Sequence, residues 1–133
     1  MAGSYQDLFA WQKSIGLALF IYELTDSYPR HELFGLTSQM RRAAISVPSN
    51  IAEGNGRISR GEWQQFLGYA RGSLLELETE LIVSHRVKLV SDSQLKAALD
   101  RSAEVGRLIN GLLRASSERG ARKRFPVPDL RTD

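Results

Sequence analysis

This chain of 133 residues has no cysteine, only two histidines and no long apolar run. Without cysteine it has no disulfide, no thiolate metal site and no cysteine nucleophile. No segment reaches the roughly 20 consecutive apolar residues of a transmembrane helix. The first residues, MAGSYQDLFAWQKS, lack the basic and then apolar pattern of a secretory signal. We therefore expect a cytoplasmic protein without membrane attachment.

The chain also has little excess of either charge, and its positive excess lies near the C-terminus. The net charge is +3, from 18 basic and 15 acidic residues. Residues 118–133 hold five of the basic and three of the acidic residues, which leaves 13 and 12 in the rest of the chain. A partner rich in phosphates would therefore have to meet a local cluster of basic side chains.

Apolar residues recur at helical spacing in four segments, and the alternation of a β-strand is absent. The segments predict helices near residues 5–28, 34–54, 59–87 and 91–117. In the first, a seam that steps by three and four residues is predicted to face the core, with Leu17, Ile21 and Leu24 widening it. That seam consists of Leu8, Trp11, Ile15, Ala18 and Tyr22.

Local signals mark the helix ends. Ser59 with Glu62, and Ser91 with Gln94, have the spacing of capping boxes. Gly54 and Gly56 are predicted to end the second helix in the left-handed conformation. Pro48 falls inside the second helix, where it removes a backbone donor and predicts a kink.

These elements predict an all-α fold, an antiparallel up-down-up-down four-helix bundle with its second helix kinked near Pro48. The bundle domain is predicted to span residues 1–117. Residues 118–133 contain two prolines and no helical period, and we predict a basic, flexible tail there.

The sequence offers no catalytic or metal constellation. Bundles that bind two metal ions use Glu-x-x-His motifs, and neither His31 nor His85 follows a glutamate at that spacing. The carboxylates of residues 76, 78 and 80 are interpreted as a solvated helix flank. GNGR at residues 54–57 lacks the spacing of a phosphate-binding loop. We expect no metal, no cofactor, no small-molecule substrate and no enzymatic activity.

Basic residues gather around the second and third helices and at the tail. On a helical wheel, Ile45 lies opposite the core between Arg41 and Arg42, which suggests an oligomer contact or, alternatively, a lone exposed isoleucine or one turned inward by the kink. Further arginines follow along the corner between the two helices, and these charges either bind nucleic acid or merely solvate a surface. The candidate nucleic-acid-binding residues are Arg41, Arg42, Arg57, Arg60, Arg71, Arg122, Lys123 and Arg124.

Three stretches carry a family resemblance. They are GLTSQMRRAAISVPSNIAEG at 35–54, FLGYARGSLLELETEL at 66–81 with the preceding Ser59 and Glu62, and DLFAWQKS at 7–14. The chain resembles the four-helix-bundle family of the bacterial rRNA intervening-sequence proteins and, more distantly, the accessory proteins of diversity-generating retroelements. The resemblance implies an all-α bundle that assembles as a ring-shaped homopentamer. A related branch is thought to bind nucleic acid.

The leading hypothesis from the sequence is a non-enzymatic, oligomeric nucleic-acid-binding or ribonucleoprotein accessory protein, which meets RNA or DNA through the arginines named above. The alternative is a structural or adaptor protein whose ring binds another protein without binding nucleic acid.

Overall fold

Four α-helices make up most of the computed structural model, which describes residues 4–124, with side chains through residue 117. The helices are α1 (Phe9–Thr25), α2 (Ser38–Asn55), α3 (Arg60–Arg86) and α4 (Asp92–Arg124). Residues 4–124 contain no strand, so the predicted all-α class is confirmed. None of the described helices is long and apolar enough to cross a membrane.

The helices pack in a closed cycle, with α1 on α2, α2 on α3, α3 on α4, and α4 back on α1. The core residues of all four helices form one buried cluster. This cyclic order places α1 and α3 at opposite corners of the bundle, as it does α2 and α4.

The inward face of α1 differs from the predicted seam. Leu17, Ile21 and Leu24 are buried, whereas Tyr22 is 38% exposed, and Trp11 is only partly buried. The prediction that Tyr22 lines the core is therefore wrong, whereas Trp11 packs against the core cluster as a partly buried side chain. Because α1 is apolar on both sides, its period alone cannot decide which side packs against the other helices.

The connection from α1 to α2 is longer than predicted. A 3₁₀ turn at Arg30–Glu32 leads into a π-helical turn at Leu33–Thr37, in which Gly35 leaves helical geometry at φ −114° and ψ −113°. The Glu32 side chain accepts a hydrogen bond from the backbone N–H of Leu36 within this turn (3.3 Å), and α2 begins at Ser38 and not near residue 34. Pro48 lies buried inside α2, and the kink near it remains a prediction.

The α2–α3 turn uses glycine for packing and not for backbone freedom. Neither Gly54 nor Gly56 has a positive φ, and Gly56 caps α2 at φ −85° and ψ −2°. The predicted left-handed ending is therefore wrong. A Cβ at Gly54 would lie 2.6 Å from the Cβ of Phe66 and 2.9 Å from Cε3 of Trp63, so Gly54 lets α2 and α3 approach closely.

Capping confirms where α3 and α4 begin. The Ser59 hydroxyl accepts a bond from the backbone N–H of Glu62 (3.1 Å). At the start of α4 both halves of the box form: the Ser91 hydroxyl accepts from the Gln94 N–H (3.1 Å), and the Gln94 side chain accepts from the Ser91 N–H (2.8 Å).

A Schellman motif ends α3. The N–H of Leu89 donates to the carbonyl of Ser84 (2.8 Å), and the N–H of Lys88 donates to the carbonyl of His85 (3.0 Å). Lys88 occupies the left-handed position, φ 69°, where glycine is the common choice.

The last helix continues beyond its predicted end. α4 runs to Arg124, seven residues past residue 117, so the first part of the predicted tail is helical. Residues 118–124 are mostly Glu, Ala, Arg and Lys, which favour helix, and the first proline of this part of the sequence is at 126. The rest of the predicted tail, residues 125–133, lies outside the described residues.

Candidate nucleic-acid interface

An arginine and two aromatic rings meet at the turn between α2 and α3. The Arg57 guanidinium lies 4.7 Å from the centroid of the Phe66 ring and 2.8 Å from the Glu53 carboxylate. Phe66 packs edge-to-face against Tyr69, with ring centroids 5.4 Å apart. The Arg57 side chain is thus held in place, although only one of its donors is used within the described residues. We call Arg57, Phe66 and Tyr69 the aromatic corner.

Tyr69 is the ring of this corner that solvent reaches. It is 49% exposed, and its hydroxyl accepts a bond from the Gln65 side chain (2.7 Å). An exposed aromatic ring can stack on a nucleobase. The nearby Trp63 is buried against Gly54, so it serves packing.

Two of the arginines of α3, Arg60 and Arg71, lie on a different flank of that helix from Tyr69. Arg60 is partly buried and Arg71 is exposed. At 100° per residue, Arg71 points about 160° away from Tyr69 around the helix axis. Glu78, seven residues after Arg71 and so on its side, hydrogen-bonds Ser102 of α4. The predicted basic stripe is therefore divided between the aromatic corner and the α4 side of α3.

Arg41 joins two helices. Its Nε donates to the Thr25 hydroxyl (2.9 Å), and its terminal nitrogen contacts the Asp26 carboxylate (3.1 Å). The guanidinium also lies 4.5 Å from the centroid of the Tyr22 ring. These contacts hold α2 against the end of α1, so Arg41 has a structural role that leaves few donors for a phosphate.

Arg42 lies near a buried carboxyl group, that of Glu80, which was predicted to be exposed to solvent. Burial and the neighbouring Glu76 carboxyl raise the pKa of Glu80 to about 7, and the charge of Arg42 offsets part of that rise. Glu80 is only 7% exposed, so its interpretation as part of a solvated flank is wrong. The available signal was spacing, because Glu80 lies between Leu77, Leu81 and Ser84 on the core side of α3.

Ile45 is 44% exposed on α2. The neighbouring Ser46 hydroxyl lies 2.8 Å from that of Ser73 on α3 and fixes the two helices together there. The predicted contact of Ile45 with another copy remains a prediction. Arg122, Lys123 and Arg124 lie in the last turn of α4, and their side chains fall outside the described residues.

The residue pair most suggestive of acid–base chemistry is His85 with Asp92, whose side chains are 2.6 Å apart. The pair lines an open, largely apolar depression together with Leu95, Lys96, Leu99 and Asp100. None of these lining residues is a serine, threonine or cysteine that the histidine could activate. Within residues 4–117, no three His, Asp or Glu side chains are grouped to hold a metal ion.

Comparison with known proteins decides the family. The model of the 23S rRNA-intervening sequence protein family matches residues 6–111. The chain belongs to this family. The family match includes the aromatic corner, Arg41, Arg42, Ile45, Arg60 and Arg71, and it stops before the basic last turn of α4.

A solved structure supports the same fold for this member of the family. It is a crystal structure of a protein of unknown function from the S23 ribosomal protein family of Bacteroides thetaiotaomicron VPI-5482. The two chains share 22% identity with a TM-score of 0.71, over 78% of this chain and 97% of that one. At this identity the likeness concerns the fold alone. A search of curated proteins finds no match.

Proposed function

We propose that this intervening-sequence family protein is a non-enzymatic, oligomeric nucleic-acid-binding or ribonucleoprotein accessory protein that binds single-stranded nucleic acid at one end of its bundle. The aromatic corner carries the proposal, because it combines a cation held on an aromatic face with an exposed ring beside it. Arginine meets phosphate and the ring stacks on a base, the pairing that single-strand binders use.

The helix directions follow from contacts along the bundle, and we infer the up-down-up-down order from them. In three of the four neighbouring pairs, residue numbers rise in one helix as they fall in the other, which indicates antiparallel neighbours. The contacts are Met40–Ser84, Ser46–Ser73 and Gly54–Trp63 for α2–α3, His85–Asp92, Glu78–Ser102 and Leu74–Gly106 for α3–α4, and Lys13–Glu104 with Phe20–Arg101 for α1–α4. The end of α2, the start of α3 and the end of α4 then share one end of the bundle.

This order would bring the basic end of α4 beside the aromatic corner. Each α3–α4 contact pairs residues whose numbers sum to about 180, as in Glu78–Ser102 and Leu74–Gly106. Continued at 1.5 Å per residue, that spacing sets residues 122–124 level with residues 56–58. Arg122, Lys123 and Arg124 would thus add positive charge next to Arg57, while Arg60 lies in the first turn of α3 at the same end.

Binding of this kind has a recognisable signature. Arginines that meet phosphates fix position but do not distinguish bases, so sequence preference should be weak. Affinity should fall steeply with salt, with a slope of about −0.7 per phosphate contacted on a single strand.

The test is the affinity of a fluorescent single-stranded oligouridine, measured by anisotropy at low salt. The double variant Arg57→Glu/Arg60→Glu should weaken binding at least tenfold. Arg30→Glu/Lys88→Glu changes the charge equally, and both residues are exposed and lie by sequence at the opposite end of the bundle. Circular dichroism verifies that both variants remain helical. Equal losses in the two variants would reject the corner, and no binding by the parent protein would favour the adaptor alternative.

The proposal includes assembly into a homopentameric ring, which the family resemblance implies and the exposed Ile45 supports. Five chains of 14.9 kDa give about 75 kDa by light scattering. Ile45→Glu should lower that mass if Ile45 lies in the contact. A monodisperse monomer would reject assembly, and an unchanged mass for Ile45→Glu would remove only Ile45 from the interface.

A further inference from the structure

α1 presents a second apolar face beside the one that packs into the core. Its members step by four, four and three residues, so they share one side of the helix. They are Trp11, Ile15, Leu19 and Tyr22. Leu19 is 63% exposed, and Tyr22 is exposed by more than a third. The two ends of this face are partly covered within the described residues, because Trp11 packs against the core cluster and Tyr5, and the Arg41 guanidinium lies 4.5 Å from the centroid of the Tyr22 ring. Between them Leu19 stays open to solvent, although an apolar second side is typical of a helix that is buried there too.

α3 presents a different apolar face at the opposite corner of the bundle. Six residues fall within an arc of about 100° on its outer side, and no charged residue lies among them. They are Gly68, Gly72, Leu75, Thr79, Ile82 and Val83. A Cβ added at Gly68 or Gly72 would meet nothing within 4 Å. Each glycine costs a helix about 1 kcal/mol relative to alanine, and packing among the described residues does not account for either.

The two faces lie at the same height along the bundle. Lys13 of α1 contacts Glu104 of α4 (3.4 Å), and Glu104 lies between the α4 residues that contact Leu74 and Glu78 of α3. Residue 13 is thus level with about residue 76, and the α1 face at 11–22 is level with about residues 74–85 of α3.

Charges at the ends of the two faces are complementary. Glu23 follows the α1 face, and Arg86 follows the α3 face at nearly the same height. Both side chains are exposed, and neither forms an ion pair within the described part of the chain. A copy placed side by side with another, in the same direction, would bring these two charges together.

We propose that a second copy of this chain covers these faces, with the bulky α1 face of one copy packed into the glycine-lined α3 face of the next and Glu23 paired with Arg86. Because the two faces differ and lie on opposite corners, each copy uses one face toward each neighbour, and the contact is head-to-tail. This inference rests on the proposed function only in requiring more than one copy.

Charge reversal tests the contact by light scattering. Glu23→Arg and Arg86→Glu should each reduce the assembly toward the 14.9 kDa monomer, and the double variant should restore the parent mass. Gly72→Arg should also dissociate the assembly, whereas Gly61→Arg, the same change on α3 before the face begins, should not. Both glycines have open space around a Cβ, so the fold should tolerate both changes.

Cross-linking tests which faces meet, because the chain has no cysteine of its own. Leu19 and Thr79 are close to level, so Leu19→Cys protein mixed with Thr79→Cys protein should form a disulfide-linked dimer. Neither variant should form one alone, since like faces do not meet.

The outcomes separate this inference from the proposed assembly. If the parent protein assembles but neither Gly72→Arg nor the charge reversals alter its mass, the interface lies elsewhere and this inference is overturned while the assembly stands. Cross-linking within either single variant would likewise overturn the head-to-tail contact. A parent protein that is monomeric at every concentration would reject both.

Discussion

Gly54→Ala tests the close approach of α2 and α3 that supports the aromatic corner. The added methyl would lie 2.6 Å from the Cβ of Phe66 and 2.9 Å from the Trp63 ring, whereas carbon atoms attract best at about 3.5–4.0 Å. Rotation of the Phe66 side chain cannot relieve the first contact, because a Cβ moves only with its backbone. The two helices would have to separate by roughly 1 Å at this point.

The net effect is a difference between two opposing terms. Overpacking of a well-packed site costs about 1–3 kcal/mol, and replacing a helical glycine by alanine returns about 1 kcal/mol. We expect the free energy of unfolding to fall by about 1–2 kcal/mol. The Arg57 guanidinium packs on the Phe66 ring, so a shift of Phe66 should also displace Arg57 and lower the affinity for oligouridine.

Urea unfolding followed by circular dichroism, at one fixed protein concentration, measures this change. Gly111→Ala is the matched control, since Gly111 also lies inside a helix and its added Cβ meets nothing within 4 Å. The control should gain up to about 1 kcal/mol. If Gly54→Ala gains as much as Gly111→Ala, the close approach of α2 and α3 does not exist as described.

Two further predictions concern Lys88 and Glu80. Lys88→Gly should raise the free energy of unfolding by about 1 kcal/mol, because a left-handed conformation strains any residue with a Cβ. A urea midpoint lower than that of the parent protein, at unchanged slope, would contradict this. The pKa of Glu80 is raised from 4.5 to about 7, so the folded protein holds a proton that the unfolded chain loses, and stability should fall as the pH rises through that window. Glu80→Gln should remove most of that fall, on the order of 2 kcal/mol after allowance for solvent screening, and stability curves that stay parallel from pH 4.5 to pH 8 would refute the assignment.

Local signals in the sequence were enough to place the starts of α3 and α4 to within one residue. The capping residues Ser59 and Ser91 act on the first turn of their own helices, so they are visible in the sequence alone. The α1–α2 link was missed because Gly35 breaks the helix inside an otherwise continuous apolar period. The Schellman ending of α3 carries lysine in place of glycine at residue 88, and thus lacks the usual signal.

Features that depend on a neighbouring helix could not be predicted. The role of Gly54 becomes visible only when Phe66 and Trp63 are placed opposite it. The aromatic corner likewise needs the turn that folds Arg57 back onto Phe66. The placement of Arg71 and Tyr69 on opposite sides of α3, in contrast, follows from helix periodicity and could have been predicted from the sequence.

The two proposed surfaces are compatible because they lie in different places on the molecule. The proposed contact between copies uses the sides of α1 and α3, whereas the proposed nucleic-acid surface lies at one end of the bundle. Copies placed side by side in the same direction would leave every aromatic corner on the same rim of the assembly. One strand could then meet several corners in succession, and each additional corner would raise the affinity through effective concentration without any new kind of contact. A nearly neutral body with few exposed arginines per chain can thereby bind a polyanion, provided that the copies are held together.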